Sequence, residues 1–209
     1  MRIKTNDLNQ ELNLVISGVG GQGNVRGAQI LGSAAVKAGY RARVSDVFGI
    51  AQRGGPVMSH IRIGQEIYGN MVEEHKADVV VSLEPMEALR AVSKFLKPGG
   101  LVIMSTRPIY PVEVNTGKAT YPPMAEIERI IKMVAADVIE LDATKVAEDE
   151  GIPIAANIVM LGVLAGSGAL PFSPELLRNS IRENIPRSVE QNVKAFEAGY
   201  AIGAKHSKQ

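Results

Sequence analysis

The residues best suited by type and spacing to do chemistry are the glycines of Gly18-Val19-Gly20-Gly21-Gln22-Gly23. Gly18, Gly20 and Gly23 fit a G-x-G-x-x-G pattern, with an apolar run before them and a helical run after. A strand that turns into a helix in this way presents free N–H groups and the positive end of the helix dipole. That end suits a phosphate or a carboxylate. Three readings follow. The turn holds a dinucleotide, it holds another anionic group, or its glycines serve turn geometry and packing alone. The dinucleotide reading wants an acid after the second strand to hold the ribose, and Asp46 stands in that region.

A complete catalytic set does not accompany the turn. The histidines are His60, His75 and His206, placed in a predicted strand, a charged connection and the C-terminal tail, and each reads as structural or solvated. No Gly-Lys-Ser/Thr follows the glycines, and neither a G-x-S-x-G elbow nor an H-E-x-x-H pair occurs. "FLKPGGLVIMS" (95–105) resembles the late turn and strand of methyltransferases, but the acid those enzymes carry before the glycine turn is replaced here by "LVIS". With no cysteine, the chain cannot supply disulfides, thiolate nucleophiles or cysteine-ligated zinc or iron–sulfur clusters. A net charge of +1 gives no electrostatic case for nucleic acid or an anionic membrane surface. The opening residues lack an apolar signal core, so a cytoplasmic protein is expected.

A second glycine loop lies at Gln52-Arg53-Gly54-Gly55, directly before a β-rich run. A forked cation between flexible backbone positions can hold a carboxylate or phosphate, or can dock on a partner chain. By itself it also fits a tight turn with an incidental exposed arginine.

The elements that must position these loops follow from periodicity. "LNLVIS" (12–17) predicts a buried strand, "NVRGAQILGSAAVKAGY" a helix, and "RARVSDVFG" a second strand, together a βαβ unit. "PVMSHIRI" and "EIYGNMV", split by Gly64-Gln65, predict an inserted β-hairpin. Strands at "ADVVVSLEP", "GLVIMST" and "VIEL" alternate with helices at "MEALRAVSKFL" and "MAEIERIIKMVAA". From Gly151 to Pro174 no residue is charged. Prolines, Asn157 and glycines interrupt that stretch, so a helix near 155–165 belongs inside a core or under a partner and does not span a membrane. "SPELLRNSI" and "RSVEQNVKAFEAGYAIGAK" predict surface helices. The expectation is one α/β domain over residues 1–209: a Rossmann-like, mostly parallel sheet with helices on both faces, a β-hairpin insert and a helical C-terminal tail.

"GVGGQG", "ILGSAAVKAGY" and "FGIAQRGGPVMSHIRIG" together resemble the gamma-type domain of the 2-oxoacid:ferredoxin oxidoreductases, above all the small (beta) subunit of the indolepyruvate type. "ADVVVSLEPMEALRA", "LKPGGLVIMST", "AANIVMLGVLAG" and "VEQNVKAFEAGY" follow in the expected order, so the likeness runs from about Leu14 to Gly203. It implies an enzyme that decarboxylates a 2-oxoacid on thiamine diphosphate, passes electrons through iron–sulfur clusters to ferredoxin and transfers the acyl group to coenzyme A. In that arrangement a large partner subunit bears the thiamine site and the clusters. A cysteine-free chain without an acid–base set is then expected, binding no cofactor alone and shaping the mouth of the reaction chamber. The resemblance points to Gly18, Gly20, Gly21, Gln22 and Gly23, with Gln52, Arg53, Gly54 and Gly55, as anion-facing or interface residues. Isolated, the chain would cover its uncharged 151–174 segment by forming homodimers. The readings to set beside this are a stand-alone nicotinamide-dependent oxidoreductase and a purely structural subunit.

Overall fold

The computed structural model describes residues 11–49 and 55–208. Six strands form one sheet in the order β2-β3-β1-β4-β5-β6. They are β1 (Leu12–Val19), β2 (Arg41–Phe48), β3 (Pro56–Gly64), β4 (Ala77–Ser82), β5 (Leu96–Ser105) and β6 (Asp137–Leu141). β1, β4, β5 and β6 run parallel, while β3 is antiparallel to both β1 and β2. The central strands are buried on both faces, which is why "LNLVIS" and "ADVVVS" are nearly continuous apolar runs without the alternation of a one-sided sheet.

Helices cover the two faces. Leu14, Ile16, Val79, Val81 and Ile103 pack beneath α1 (Asn24–Lys37), α5 (Ala143–Asp149), α6 (Ala156–Gly166), α7 (Pro174–Asn184) and α8 (Val189–His206). Val15, Val80, Val102 and Met104 pack beneath α2 (Pro85–Phe95) and α4 (Met124–Val134). A short helix α3 (Val112–Asn115) lies in the long connection between β5 and α4. The predicted α/β sheet, its mostly parallel strands and its helical C-terminal end are all present.

The hairpin forms from a different pair of segments than the local pattern predicts. β3 pairs with β2, from Arg41↔Gly64 to Phe48↔Val57, and its other edge pairs with β1. With both edges of β3 taken, residues 66–72 have no ladder to join. They run across the sheet, anchored by buried Ile67 and Val72 while Tyr68 and Met71 stay exposed. β1 and β2 therefore point the same way but are not neighbours, since β3 lies between them.

The uncharged helix α6 is buried from Asn157 to Gly166, and its cover comes largely from α8 of the same chain. The two backbones touch. A Cβ on Gly162 would lie 2.1 Å from the carbonyl oxygen of Phe196, and one on Gly199 would lie 2.1 Å from that of Val159. Small residues one turn apart on both helices permit this approach. α8 is thus a core element as well as a surface one, with Phe196 fully buried. The demand of the 151–174 segment for apolar cover, the ground for expecting a homodimer, is met within the chain. No helix among the described residues is long and apolar enough to cross a membrane.

Candidate functional site

The glycine turn sits at the carboxyl end of β1, where ligand crevices of open α/β sheets form. Gly21 (φ +103°) and Gly23 (φ +86°) hold the left-handed backbone that makes the turn, and Gly23 is the residue just before α1. Gly18 still belongs to the strand. Its missing Cβ leaves room for Gln22, whose Oε1 would stand 2.7 Å from such an atom. Gln22 folds back over the turn. Its Oε1 accepts from the Val19 N–H at 2.7 Å, and its Nε2 donates to the Leu83 carbonyl beyond β4 at 2.8 Å. Gln22 is therefore a brace between two strand ends rather than a side chain reaching for a ligand.

The amides divide into two sets. Gly20 N–H donates to the Gly55 carbonyl at 2.9 Å, and Gln22 N–H donates to the Val19 carbonyl at 3.1 Å. The N–H groups of Gly21, Gly23, Asn24 and Val25 have no acceptor among the described residues. No acidic side chain occupies the first turn of α1, so its partial positive charge is not offset locally. Four amides and a helix N-terminus can together hold one carboxylate or phosphate oxygen group.

The Gly20–Gly55 bond places Gly55, the last residue of the second glycine loop, beside the first. Gly55 is buried against the turn, whereas Gln52, Arg53 and Gly54 lie outside the described residues. Two further contacts fix the floor. Asn24 Nδ2 donates to the Val57 carbonyl of β3 at 3.1 Å, and Asn157 Nδ2, from the first turn of α6, donates to the Gly23 carbonyl at 3.1 Å. Asp46 does not face this turn as a ribose-binding acid would. It accepts from Ser59 Oγ at 2.5 Å and stands on β2, two strand spacings or about 10 Å across the sheet from β1.

On the other side of the turn lies a buried carboxylate that the sequence reading did not single out. Glu84 directly follows the Ser82-Leu83 end of β4 and is 1% exposed. Its Oε2 caps α2 by accepting from Glu87 N–H at 3.0 Å. Its Oε1 accepts from Tyr121 O–H at 2.5 Å and from Ile109 N–H at 3.3 Å. Met86 N–H donates in turn to the Tyr121 oxygen at 3.2 Å, and the Tyr110 ring meets Tyr121 edge-on at 5.1 Å. Burial first, and then the bond to Glu84, raise the Tyr121 pKa above the ordinary phenol range, so the hydroxyl stays a donor. Burial also raises the carboxyl of Glu87, against the opposing pull of its ion-pair partner Arg90. An acid followed by Pro85 at the first helical position signals the helix cap in the sequence, but not the bonds to Ile109 and Tyr121.

The histidines take structural places. His60 is buried edge-on to Phe95 at 4.9 Å, its Nδ1 accepts from Val72 N–H at 3.3 Å, and burial lowers its pKa. His206 pairs with Asp137 at the opposite end of the sheet, and His75 is an exposed turn residue. Two depressions among the described residues lie away from the turn. One, of about 450 Å³, is a groove between α1 and β2. The other, of about 370 Å³, is a polar dish lined by Arg62, Asp78 and Lys97 at the amino ends of the strands. Neither depression includes the glycine turn, whose unpaired amides lie beside Gly55.

The donor set fits an anion and does not fit a metal cluster. The sequence has no thiolate to ligate iron, and the described residues include no group of three His, Asp or Glu side chains placed around one ion.

Comparison with known proteins identifies the family. A family model for the pyruvate ferredoxin/flavodoxin oxidoreductases matches residues 13–202. The chain is 46% identical over 192 residues to the indolepyruvate oxidoreductase subunit IorB of Pyrococcus horikoshii, covering 91% of this chain and 95% of that one. Its fold is similar to that of a keto/oxoacid ferredoxin oxidoreductase gamma subunit from Geobacter sulfurreducens, with a TM-score of 0.68, 24% identity and coverage of 93% and 99%. It is also similar to part of a 2-oxoglutarate:ferredoxin oxidoreductase from Magnetococcus marinus, with a TM-score of 0.72, 19% identity and coverage of 96% of this chain and 32% of that one. A matched segment that runs from β1 to α8, with both glycine loops inside it, makes the assignment plain: the chain belongs to the pyruvate ferredoxin/flavodoxin oxidoreductase family.

Proposed function

We propose that this chain is the small subunit of an indolepyruvate ferredoxin oxidoreductase. The observation that carries the reading is the 46% identity to an indolepyruvate oxidoreductase subunit across nearly the whole of both chains. The reaction cleaves the carboxylate from the 2-oxoacid, transfers the remaining acyl group to the thiol of coenzyme A and delivers two electrons to ferredoxin. A large partner subunit supplies thiamine diphosphate and the iron–sulfur clusters, since this chain has no thiolates of its own. The setting is cytoplasmic, and the isolated chain is inactive.

Within the complex, the free amides of Gly21, Gly23, Asn24 and Val25 hold an anionic group, either the 2-oxoacid carboxylate or a phosphate of coenzyme A. Arg53 adds a forked cation two residues before Gly55, whose carbonyl accepts from Gly20 N–H. Gly18 and Gln22 shape the turn that presents these amides, and Gln52, Gly54 and Gly55 flank Arg53 in the sequence.

The test is turnover by the purified complex against a panel of 2-oxoacids, with ferredoxin as acceptor, for the wild type and Arg53→Ala. Indolepyruvate is expected to have the highest kcat/KM. The variant should assemble normally and lose about tenfold or more in kcat/KM, the worth of a charge-assisted hydrogen bond. Preference for pyruvate would overturn the substrate assignment. Normal assembly with normal turnover would remove Arg53 from the site.

A further inference from the structure

Residues 65–72 cross the face of the sheet that α2 covers without joining a ladder, and their hold on it is narrow. Ile67 and Val72 are buried, while Tyr68 and Met71 stay exposed. Gly69 lies close over Arg62, where a Cβ would stand 2.7 Å from Nη1. Among the described residues, the main chain of 65–72 makes one hydrogen bond, from Val72 N–H to His60 Nδ1 at 3.3 Å. Asn70 adds only an exposed side-chain bond to Ser45 Oγ at 3.4 Å. His60, on β3, is 1% exposed, and its ring meets Phe95 of α2 edge-on at 4.9 Å. A ring nitrogen that accepts an N–H carries no proton of its own. The bond therefore exists only while the imidazole is neutral. A second proton would set donor against donor inside the core.

We propose that His60 is a proton-operated clasp: neutral, it fastens residues 65–72 across the sheet, and protonated, it releases them. The clasp is independent of the subunit reading. The charged groups around the ring leave its burial uncompensated. Lys94 of α2 lies over Phe95 at 5.3 Å and pairs with Glu74 at 3.8 Å. Arg62, two residues along β3, is held by Glu11. Asp46 bonds Ser59 Oγ on the opposite face of the sheet, since Ser59 and His60 alternate along β3. Glu73 and His75 are exposed in the turn that follows the segment. None of these carboxylates is bonded to the ring among the described residues. Burial first, and then the charge of Lys94, lower the His60 pKa against the weaker pull of Asp46. The folded chain thus keeps the neutral form that the bond needs. The clasp is at full strength above the ordinary histidine value of 6.5, and is lost as pH falls through the lowered value of the fastened state.

The test is amide hydrogen exchange of the full chain between about pH 5 and about pH 8, each rate divided by that of an unstructured peptide at the same pH. In the wild type, opening of 65–72 should rise by up to about tenfold for each pH unit below about 6.5, while β1 and β4 keep their protection. His60→Phe keeps a ring against Phe95 but offers no acceptor, so the segment should be open to the same degree at every pH. His75→Asn alters the exposed histidine nearby and should keep the wild-type step. A wild-type segment whose corrected exchange does not change with pH overturns the proposal. So does a step that survives in His60→Phe or disappears in His75→Asn. Should His60→Phe fail to fold, the ring titration of His60 followed by NMR takes its place. A titration midpoint that matches the exchange step supports the clasp, and one that does not overturns it.

Discussion

At the residue scale, the site is held by side chains that look inward. Gln22 braces the turn to Leu83, Asn157 ties it to α6, and Glu84 receives three donors at the start of α2. Replacing Glu84 with Ala removes a helix cap and leaves Ile109 N–H and Tyr121 O–H without an acceptor. A loss of about 3 kcal/mol in stability is expected, against about 1 kcal/mol for Tyr121→Phe. Urea unfolding of both variants checks this. A neutral Glu84→Ala would mean that the carboxylate does not organise the connection between β5 and α4. The glycines of this site were readable because a spacing announces them. Glu84 was not, because its partners Ile109 and Tyr121 are 25 and 37 residues away and only folding brings them together.

At the element scale, two findings depart from the local pattern. Residues 56–63 and 66–72 read as a hairpin because each is β-rich and a glycine separates them. Pairing is decided by free edges, however, and β3 has none left once β1 and β2 flank it. The uncharged helix was read correctly as needing cover, but sequence alone could not say that α8 provides it. The glycines of that contact, Gly162, Gly166, Gly199 and Gly203, make a sharp prediction. Gly162→Ala drives a methyl group into the α8 backbone, whereas Gly27→Ala in α1 finds only Ile16 Cδ1 at 4.0 Å. Thermal and urea unfolding should show a loss of about 3 kcal/mol or more for the first. For the second they should show no loss and a gain of up to about 1 kcal/mol. Equal effects would contradict the backbone contact between α6 and α8.

At the scale of the whole molecule, the architecture gathers four segments at one end of the sheet. The glycine turn, the start of β3, the cap of α2 and the first turn of α6 converge there, from segments spread between residues 18 and 157. The strand types and their order along the chain were legible from periodicity, and so was the pairing of two glycine loops as a family mark. Their spatial contact was not, because it depends on β3 crossing back between β1 and β2 so that Gly55 returns to Gly20. That crossing also carries Asp46 away from the turn, which removes the ribose-binding acid a dinucleotide enzyme needs. What remains is a turn whose amides of Gly21, Gly23, Asn24 and Val25 have no acceptor among the described residues, on a chain without thiolates.

The most direct test of the subunit account is anaerobic affinity purification of the tagged chain from its native cells, with analysis of what accompanies it. The account predicts a brown, cysteine-rich partner that contains thiamine diphosphate and, with this chain bound, reduces ferredoxin with a 2-oxoacid. A colourless chain recovered alone, under conditions that preserve complexes, would contradict it.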